Sequence, residues 1–411
     1  MRRTAFRFIH LSINNPDMSD RNPNGAPKLG IVYFGNEWHA ENRTSSHHIA
    51  RQLAGLANVV YIDSPGMRPP TASTRDLSRI WKKLSQAMQR PRRVEPGLWH
   101  CTVPQIPFRH WPGVSQLNRW FGAWAVKRAI RISGIREPVL WFVAPHPCFL
   151  IDVVPHALVV FYCVDDYASH PGVDAAHMTA CDALLTRRAD HIFVAPPALV
   201  KGKQRINPAT TFSPHGVDVD LFWRAQSAET VVPPLAADLK APVIGYFGLI
   251  AAWTDIELVE WLAVQRPQWN FLLVGHAHVA VDALAQLPNV RLVGPQPYES
   301  LPGWAKAFDV AIIPYRMNRQ VQNANPLKLR EYLATGKPVV TMPTPEVERF
   351  SEVVRIAKTR EEFLAAIEAS LQETDIHAAE RRKASVRDMS WESRAMETLK
   401  IVNAAREKKR R

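Results

Sequence analysis

Short apolar runs recur along this chain, each followed by a turn rich in glycine, proline or polar residues and then by apolar residues spaced three and four apart. The runs at 29–35, 59–63, 139–143, 158–164 and 191–194 are almost continuously apolar, as strands of a parallel sheet covered on both faces are. Ile49, Leu53 and Leu56 give a helical stripe between the first two. A second series follows Pro233-Pro234, with strands expected at 243–247, 271–274, 290–293, 310–314 and 338–341. Helices are expected with it at 257–264, 304–308, 327–334 and 361–371. Alternation of this kind predicts an α/β protein with two doubly wound, Rossmann-like domains facing across a cleft. The expected divisions are a loose leader at 1–27, a first domain at 28–232, a second at 233–389 and a last helical segment at 390–411. The leader is basic at its start and rich in Asn, Ser, Asp and Pro after it, without the apolar stretch of a secretion signal.

The most informative block runs from Asn323 to Thr341. Asn325 is placed to cap a helix, Pro326 suits its first position, Leu329 and Leu333 can face a core, and Gly336 with Pro338 ends it. Lys328 and Glu331 sit three apart near the start. The positive end of the helix dipole with an ammonium suits phosphate oxygens, and a carboxylate one turn on can accept bonds from ribose hydroxyls. The plain alternative is a capped helix with a surface Lys–Glu pair. Neither domain carries the Gly-x-Gly-x-x-Gly fingerprint, which argues against a dehydrogenase.

Pro326-Leu-Lys-Leu-Arg-Glu-Tyr-Leu-Ala-Thr-Gly-Lys-Pro-Val-Val340 resembles the donor-site helix of GT-B glycosyltransferases, in particular bacterial members related to families 1 and 4. The resemblance implies transfer of a sugar from a nucleotide diphosphate to an acceptor. It implies that Glu331 is the ribose contact. Asn323 stands eight residues earlier, where many relatives have a Glu that touches the transferred sugar. Asn325, Pro326 and Leu327 would complete the donor side at the helix start. Tyr246 to Asp255 occupies the loop where relatives place a basic diphosphate clamp, but it has no Lys or Arg. Gly248 in it would let backbone approach the ligand. Lys328, with Arg316 and Arg319 beside Tyr315, would then carry the phosphate charge. His276, in Gly275-His-Ala-His278, falls where relatives line the base pocket.

Phe161-Tyr-Cys-Val-Asp-Asp-Tyr167 puts two carboxylates at the ligand-facing end of a strand. Such a group can take the proton of an attacking hydroxyl. Asp165 is the first choice and Asp166 the second, with capping of the next turn favoured for Asp166. Val164-Asp-Asp-Tyr167 followed by Pro171-Gly172 also resembles a block of a bacterial polysaccharide and lipopolysaccharide subgroup. A more distant resemblance, to the inverting glucuronosyltransferase of xanthan assembly, sits beside the retaining family 4, so hexosyl and glucuronosyl transfer and both stereochemical outcomes stay open. Gly35, Arg43 and Ser46 are the acceptor-side candidates, with Ser45 or Ser46 as a helix cap and Arg43 as a contact for an acceptor phosphate. Ser213 to Phe222 looks like the family's hinge block, with His215 at an Asn position. Asp218-Val-Asp220 in it reads as a turn and not as a metal site, and no metal or other cofactor is expected.

Charge adds partners to this picture. A formal charge of +13 and a pI near 9.8 favour anionic partners, whether nucleic acid, lipid headgroups or phosphorylated substrates. No zinc-finger spacing or aromatic-basic signature accompanies it, so nucleic acid is not expected. The expected partners are a nucleotide diphosphate sugar and a glycan or lipid-linked acceptor. Residues 75–93 carry Leu77, Ile80, Trp81, Leu84 and Met88 at helical spacing among seven basic residues, which suits an anionic membrane surface or packing on the first domain. Trp120, Phe121 and Trp124 with Arg119, Lys127 and Arg128 repeat that pattern more weakly. The apolar region 139–164 is interrupted by Pro145, His146, Pro147, Asp152 and Pro155 and is not a membrane span. Four unpaired-looking cysteines fit a reducing cytoplasm. Together these predict a cytoplasmic glycosyltransferase, peripheral on the inner face of the plasma membrane, in surface polysaccharide synthesis. The competing readings are a sugar-nucleotide epimerase or hydrolase on the same fold and a non-catalytic nucleotide-sugar-binding protein.

Overall fold

A computed structural model describes residues 28–40, 43–63, 90–103, 106 and 112–411. The leader and residues 75–89 of the basic segment lie outside the described residues. The first domain is built on an eight-stranded sheet: β1 (Gly30–Gly35), β2 (Asn58–Asp63), β3 (Arg92–Glu95), β4 (Leu98–Thr102), β5 (Val139–Phe142), β6 (Leu158–Cys163), β7 (His191–Val194) and β8 (Thr210–Phe212). Its order is β3-β4-β2-β1-β5-β6-β7-β8, with β3 antiparallel to β4 and the other pairs parallel. The second domain has six parallel strands: β9 (Val243–Phe247), β10 (Asn270–Val274), β11 (Val290–Gly294), β12 (Val310–Ile313), β13 (Val339–Thr341) and β14 (Arg355–Ile356), in the order β11-β10-β9-β12-β13-β14. The order reverses between β1 and β5 and again between β9 and β12. At such switch points the connections leave to opposite faces and open a crevice beyond the carboxyl ends of the strands.

Helices cover both faces of each sheet. They are α1 (Ser45–Leu56), α2 (Val114–Ser133), α3 (Ala175–Arg188), α4 (Pro197–Ile206), α5 (Val219–Trp223), α6 (Ile256–Gln265), α7 (Leu301–Lys306), α8 (Leu327–Thr335), α9 (Arg360–Leu371), α10 (Ala378–Ala384) and α11 (Trp391–Arg410), with short single turns between some of them. Every residue of β1 and β6 is buried. Alternate side chains therefore supply two cores. Ile31, Tyr33, Tyr61 and Trp141 pack under α1, whereas Val32, Phe34, Val60 and Phe142 pack with Val126 and Ala129 of α2 and Leu185 of α3. In the second domain Phe247, Leu272 and Ile313 meet α5, α7 and α8, while Ile244, Tyr246 and Ile312 meet α6 and α9. All four cysteines are buried, and none is in a disulfide.

The α/β doubly wound class and the ten expected strands are present. β3, β4, β8, β14 and α2 to α4 add to them. β3 is exposed over its first three residues and has no apolar run to announce it. The helical spacing at 75–93 also fails at its end, because Arg92 and Arg93 belong to β3. In α2 the buried stripe is made largely of Gly122, Ala123, Ala125 and Ala129, which gives a weak periodic signal. The expected division at 232/233 falls inside the second domain's packing. Val217, Val219, Leu221, Phe222 and Ala225 already sit in that core, so the chain crosses over near His215, and Pro233-Pro234 only turns the chain there. The last helix packs on the first domain. Trp391, Ala395, Leu399 and Val402 of α11 enter the first core, and Lys409 bonds Asp190 at 2.8 Å. Burial of side chains such as Leu399 and Val402 stabilises this docking by roughly 1.5–3 kcal/mol each.

Candidate functional site

The opening of α8 differs from the expected cap. The helix starts at Leu327, Pro326 occupies the cap position, and no side chain caps it. Asn325 reaches across the crevice instead. Its Nδ2 donates to the carbonyl of Ala195 at 2.7 Å, just beyond β7, and its Oδ1 accepts from Arg330 at 2.5 Å. Arg330 is wholly buried and paired with Glu346. The two terminal nitrogens of this buried guanidinium are held by Asn325 and Glu346, and the network fixes the loop before α8 against the first domain. Gly336 takes the left-handed conformation (φ 75°) that closes the helix.

Tyr332 clamps α8 to the end of β9, its hydroxyl accepting from the Phe247 amide at 2.7 Å. One turn earlier Lys328 donates to the Tyr246 hydroxyl, with its ammonium 4.0 Å from the centre of the Tyr246 ring and 5.5 Å from that of Tyr315. Gly248 makes room for it. Its φ is +120°, and a Cβ there would stand 3.1 Å from Lys328 Nζ. Glu331 is 9% exposed. Burial pushes its carboxyl up to about 7, although Lys328 and the Tyr298 hydroxyl pull the other way. An ammonium at a strand–helix switch point and a carboxylate one turn deeper are thus adjacent, and this carboxylate takes up a proton near neutral pH.

Across the crevice, Gly35 and Ser46 shape the β1–α1 connection. A Cβ at Gly35 would lie 2.2 Å from the Tyr61 hydroxyl. That hydroxyl donates to the Asn36 carbonyl at 2.6 Å and lies 3.1 Å from Ser46 Oγ. The cap of α1 is Thr44 and not either serine, with His47 closing a capping box. Arg43 is not free for an acceptor phosphate. It pairs with Glu299 of the second domain at 2.7 Å. Asp165 accepts from His170 Nε2 at 2.9 Å and from the Asp166 amide at 2.8 Å. Asp166 does not cap the next turn through its side chain. Its Oδ2 accepts from Asn323 Nδ2 at 2.9 Å and from Arg319 Nε at 3.2 Å, both in the second domain. Asn323 therefore joins the carboxylate of one domain to the loop that opens α8 of the other. A cavity of about 310 Å³ opens beside this contact, lined by Asp165, Asp166, Met178, Leu199, Lys203 and Arg319 among others.

Residues 241–373 match the family model for glycosyl transferases group 1. The chain is 29% identical over 204 residues to the putative teichuronic acid biosynthesis glycosyltransferase TuaH of Bacillus subtilis, a match covering 47% of this chain and 49% of that protein. Its fold is that of sucrose-phosphate synthase from Thermosynechococcus elongatus (TM-score 0.67, 16% identity, 92% of this chain and 98% of that one). It is also that of Anabaena HepE in complex with UDP and glucose (TM-score 0.60, 14% identity, 91% and 99%). The chain has the GT-B fold, and its second domain is similar to glycosyl transferases group 1.

Other candidates of this GT-B chain have settled into different roles. Arg316 pairs inside the second domain, 3.1 Å from Glu257 and 3.8 Å from Asp255. Tyr315 is buried, with the Lys328 ammonium 5.5 Å from its ring centre, and burial pushes its hydroxyl well up. His276 follows β10 and meets His278 at 4.8 Å, edge to face. Asp218 caps α5 by accepting from the Leu221 amide at 3.0 Å. His215 is buried at the crossover, where burial pushes it down to about 3 and keeps it neutral. Sequence reasoning passed over Asn36, His170 and Tyr298. Asn36 accepts from the Tyr167 hydroxyl at 3.3 Å, a contact 131 residues apart that no local pattern signals. His170 returns to Asp165 because the single helical turn at Tyr167–Ser169 lies between them.

Proposed function

We propose that this protein transfers a sugar from a nucleotide diphosphate sugar to a hydroxyl of a glycan or lipid-linked acceptor in surface polysaccharide synthesis. One observation carries the reading: Asn323, in the loop that opens the Lys328–Glu331 helix, is bonded to Asp166 across the crevice. The loop that opens this helix and the carboxylate after β6 are therefore in direct contact. Lys328 with the α8 amino end would hold the diphosphate, and Glu331 would accept the ribose hydroxyls. Asp166, which reaches the donor loop, is preferred over Asp165 as the base that takes the acceptor proton. Asp165 with His170 would position the loop. Closure of the domains excludes water, which keeps the donor from hydrolysis. The similarity to a putative teichuronic acid glycosyltransferase supports a polysaccharide acceptor, and a fold neighbour crystallised with UDP supports a uridine donor.

Calorimetric titration with nucleoside diphosphates tests the donor half. Wild type should bind at least one of them, and Lys328→Ala should weaken it by roughly 10- to 100-fold, the worth of a charge-assisted contact. No binding by wild type, or equal binding by the variant, would overturn the assignment.

A further inference from the structure

We propose that the outer face of α2 is a docking surface for an anionic lipid bilayer. The buried side of this helix is carried by Val114, Gly122, Ala125, Val126 and Ala129. On the opposite side Leu117, Trp120, Trp124, Lys127 and Arg131 follow one another at intervals of three and four, so they form a single line along the helix. Leu117 is 47% exposed, Trp120 63% and Trp124 40%. Scattered exposed apolar residues are ordinary, but three in line with two tryptophans among them leave a costly strip in water.

Charge decides the occupant. The 20 residues of α2 contain no Asp or Glu, whereas Arg119, Lys127, Arg128 and Arg131 are cationic. Arg119 is drawn toward Asp152 at 3.9 Å, and Arg128 lies over the Trp124 ring at 5.3 Å. Lys127 and Arg131 continue the exposed line beyond the tryptophans. Apolar and indole groups at one end with ammonium and guanidinium groups at the other match a headgroup layer, where indole sits at the boundary and cations meet lipid phosphate. No described helix is long and apolar enough to cross a membrane, so this contact lies on the surface.

The placement connects the surface to the site without depending on it. α2 follows β4 and leads back to β5, and both strands run parallel to β1 and β2. Its amino end, with Leu117 and Trp120, is therefore on the side of the sheet's carboxyl edge, where Asp165 and Asp166 follow β6. Seating that end on a bilayer brings the rim of the crevice to the membrane plane.

Co-sedimentation of the whole chain with vesicles tests this. Phosphatidylcholine vesicles serve as one arm, and equal parts of phosphatidylcholine and phosphatidylglycerol as the other. Wild type should partition to the anionic vesicles, with binding weakened by added salt. Trp120→Ser/Trp124→Ser should lower partitioning by at least about tenfold. Lys127→Glu/Arg131→Glu should lower it by on the order of fivefold per charge and flatten the salt dependence. These are surface positions, and unchanged circular dichroism confirms the fold of each variant. Failure of wild type to bind anionic vesicles, or equal binding by the tryptophan variant, overturns the proposal. So does self-association without lipid that the tryptophan substitutions abolish, since the strip would then be a protein interface. Nucleotide binding should be the same in all variants, which separates this test from that of the transferase reading.

Discussion

Glu331 and Asp166 are both carboxylates on the interdomain crevice, yet they are held by different means. Glu331 rides on α8, is buried, and has its cation, Lys328, one turn away on the same helix. Asp166 lies in the loop after β6, and both side-chain donors to its Oδ2, Arg319 and Asn323, belong to the other domain. The first group takes its cation, Lys328, and its hydroxyl partner, Tyr298, from its own domain, with His48 and Arg43 of the first domain packed on the Tyr298 ring. The second is set only while the domains face one another as they do in this structure. Of the two carboxylates, Asp166 is thus the one whose direct hydrogen bonds depend on domain position.

The largest expected effect breaks the comparison on the Asp166 side. Asp166→Asn keeps the size and can still meet Asn323, but it cannot take a proton. Transfer should fall by about 10²- to 10⁴-fold, the usual worth of a general base, with nucleotide affinity nearly unchanged. Asp165→Asn should cost less, because His170 and the Asp166 amide hold it in a positioning role. Single-turnover rates for both variants decide the order. A greater loss for Asp165→Asn would return the base to that residue.

A second effect sharpens the Glu331 side through pH. In the free protein its carboxyl is raised to about 7, above its ordinary value of 4.5. A raised acid stabilises the fold in its protonated form, so this group's contribution is full below the ordinary value and is lost as pH climbs toward 7. Ribose hydroxyls donate hydrogen bonds and prefer the ionised carboxylate. Nucleotide affinity should therefore rise as pH increases toward 7, by up to about tenfold per unit below that point, and level off above it. Glu331→Gln should lose that slope and leave only the titration of the ligand's own phosphate. Calorimetry across pH for both proteins reads the difference, and equal slopes would remove Glu331 from the ribose contact.

The same contrast explains what the amino-acid order reveals. The donor side is one helix and its flanks, so capping residues, a terminal glycine and two charges three apart signal it locally. Asn325 was still misplaced, because its partner Ala195 is 130 residues away. The acceptor side is assembled from Asn36, Ser46, Tyr61, Asp165, Asp166 and Tyr167, which only the sheet brings together. Strand alternation could point to the carboxyl end of β6, but not to which carboxylate crosses the crevice. Arg43 and Arg316 looked like cations awaiting phosphate, since their carboxylate partners lie on other elements. Fully buried β1 and β9 were legible, whereas β3 lacked the apolar run that marks a strand.

The smallest effect concerns the link on which the coupled side rests. Arg43 and Glu299 join α1's approach to the second domain, with side chains 40% and 61% exposed. Such a pair contributes about 0.2–1 kcal/mol, because solvent screens it and both side chains lose freedom. Asn325 and the Arg330–Glu346 network, buried and charge-assisted, hold the domains more firmly. A double-mutant cycle on Arg43→Ala and Glu299→Ala, read by chemical denaturation, should give a coupling within that range that shrinks with salt. Nucleotide binding should change little, since Lys328, Glu331 and Tyr298 all belong to the second domain and Arg43 meets only the Tyr298 ring. Transfer should fall severalfold at most, because Asp166 depends on domain position but has Asn323 and Arg319 to keep it there. A loss of nucleotide binding in Arg43→Ala would mean that the donor site also needs the first domain, and the contrast between the two carboxylates would then fail.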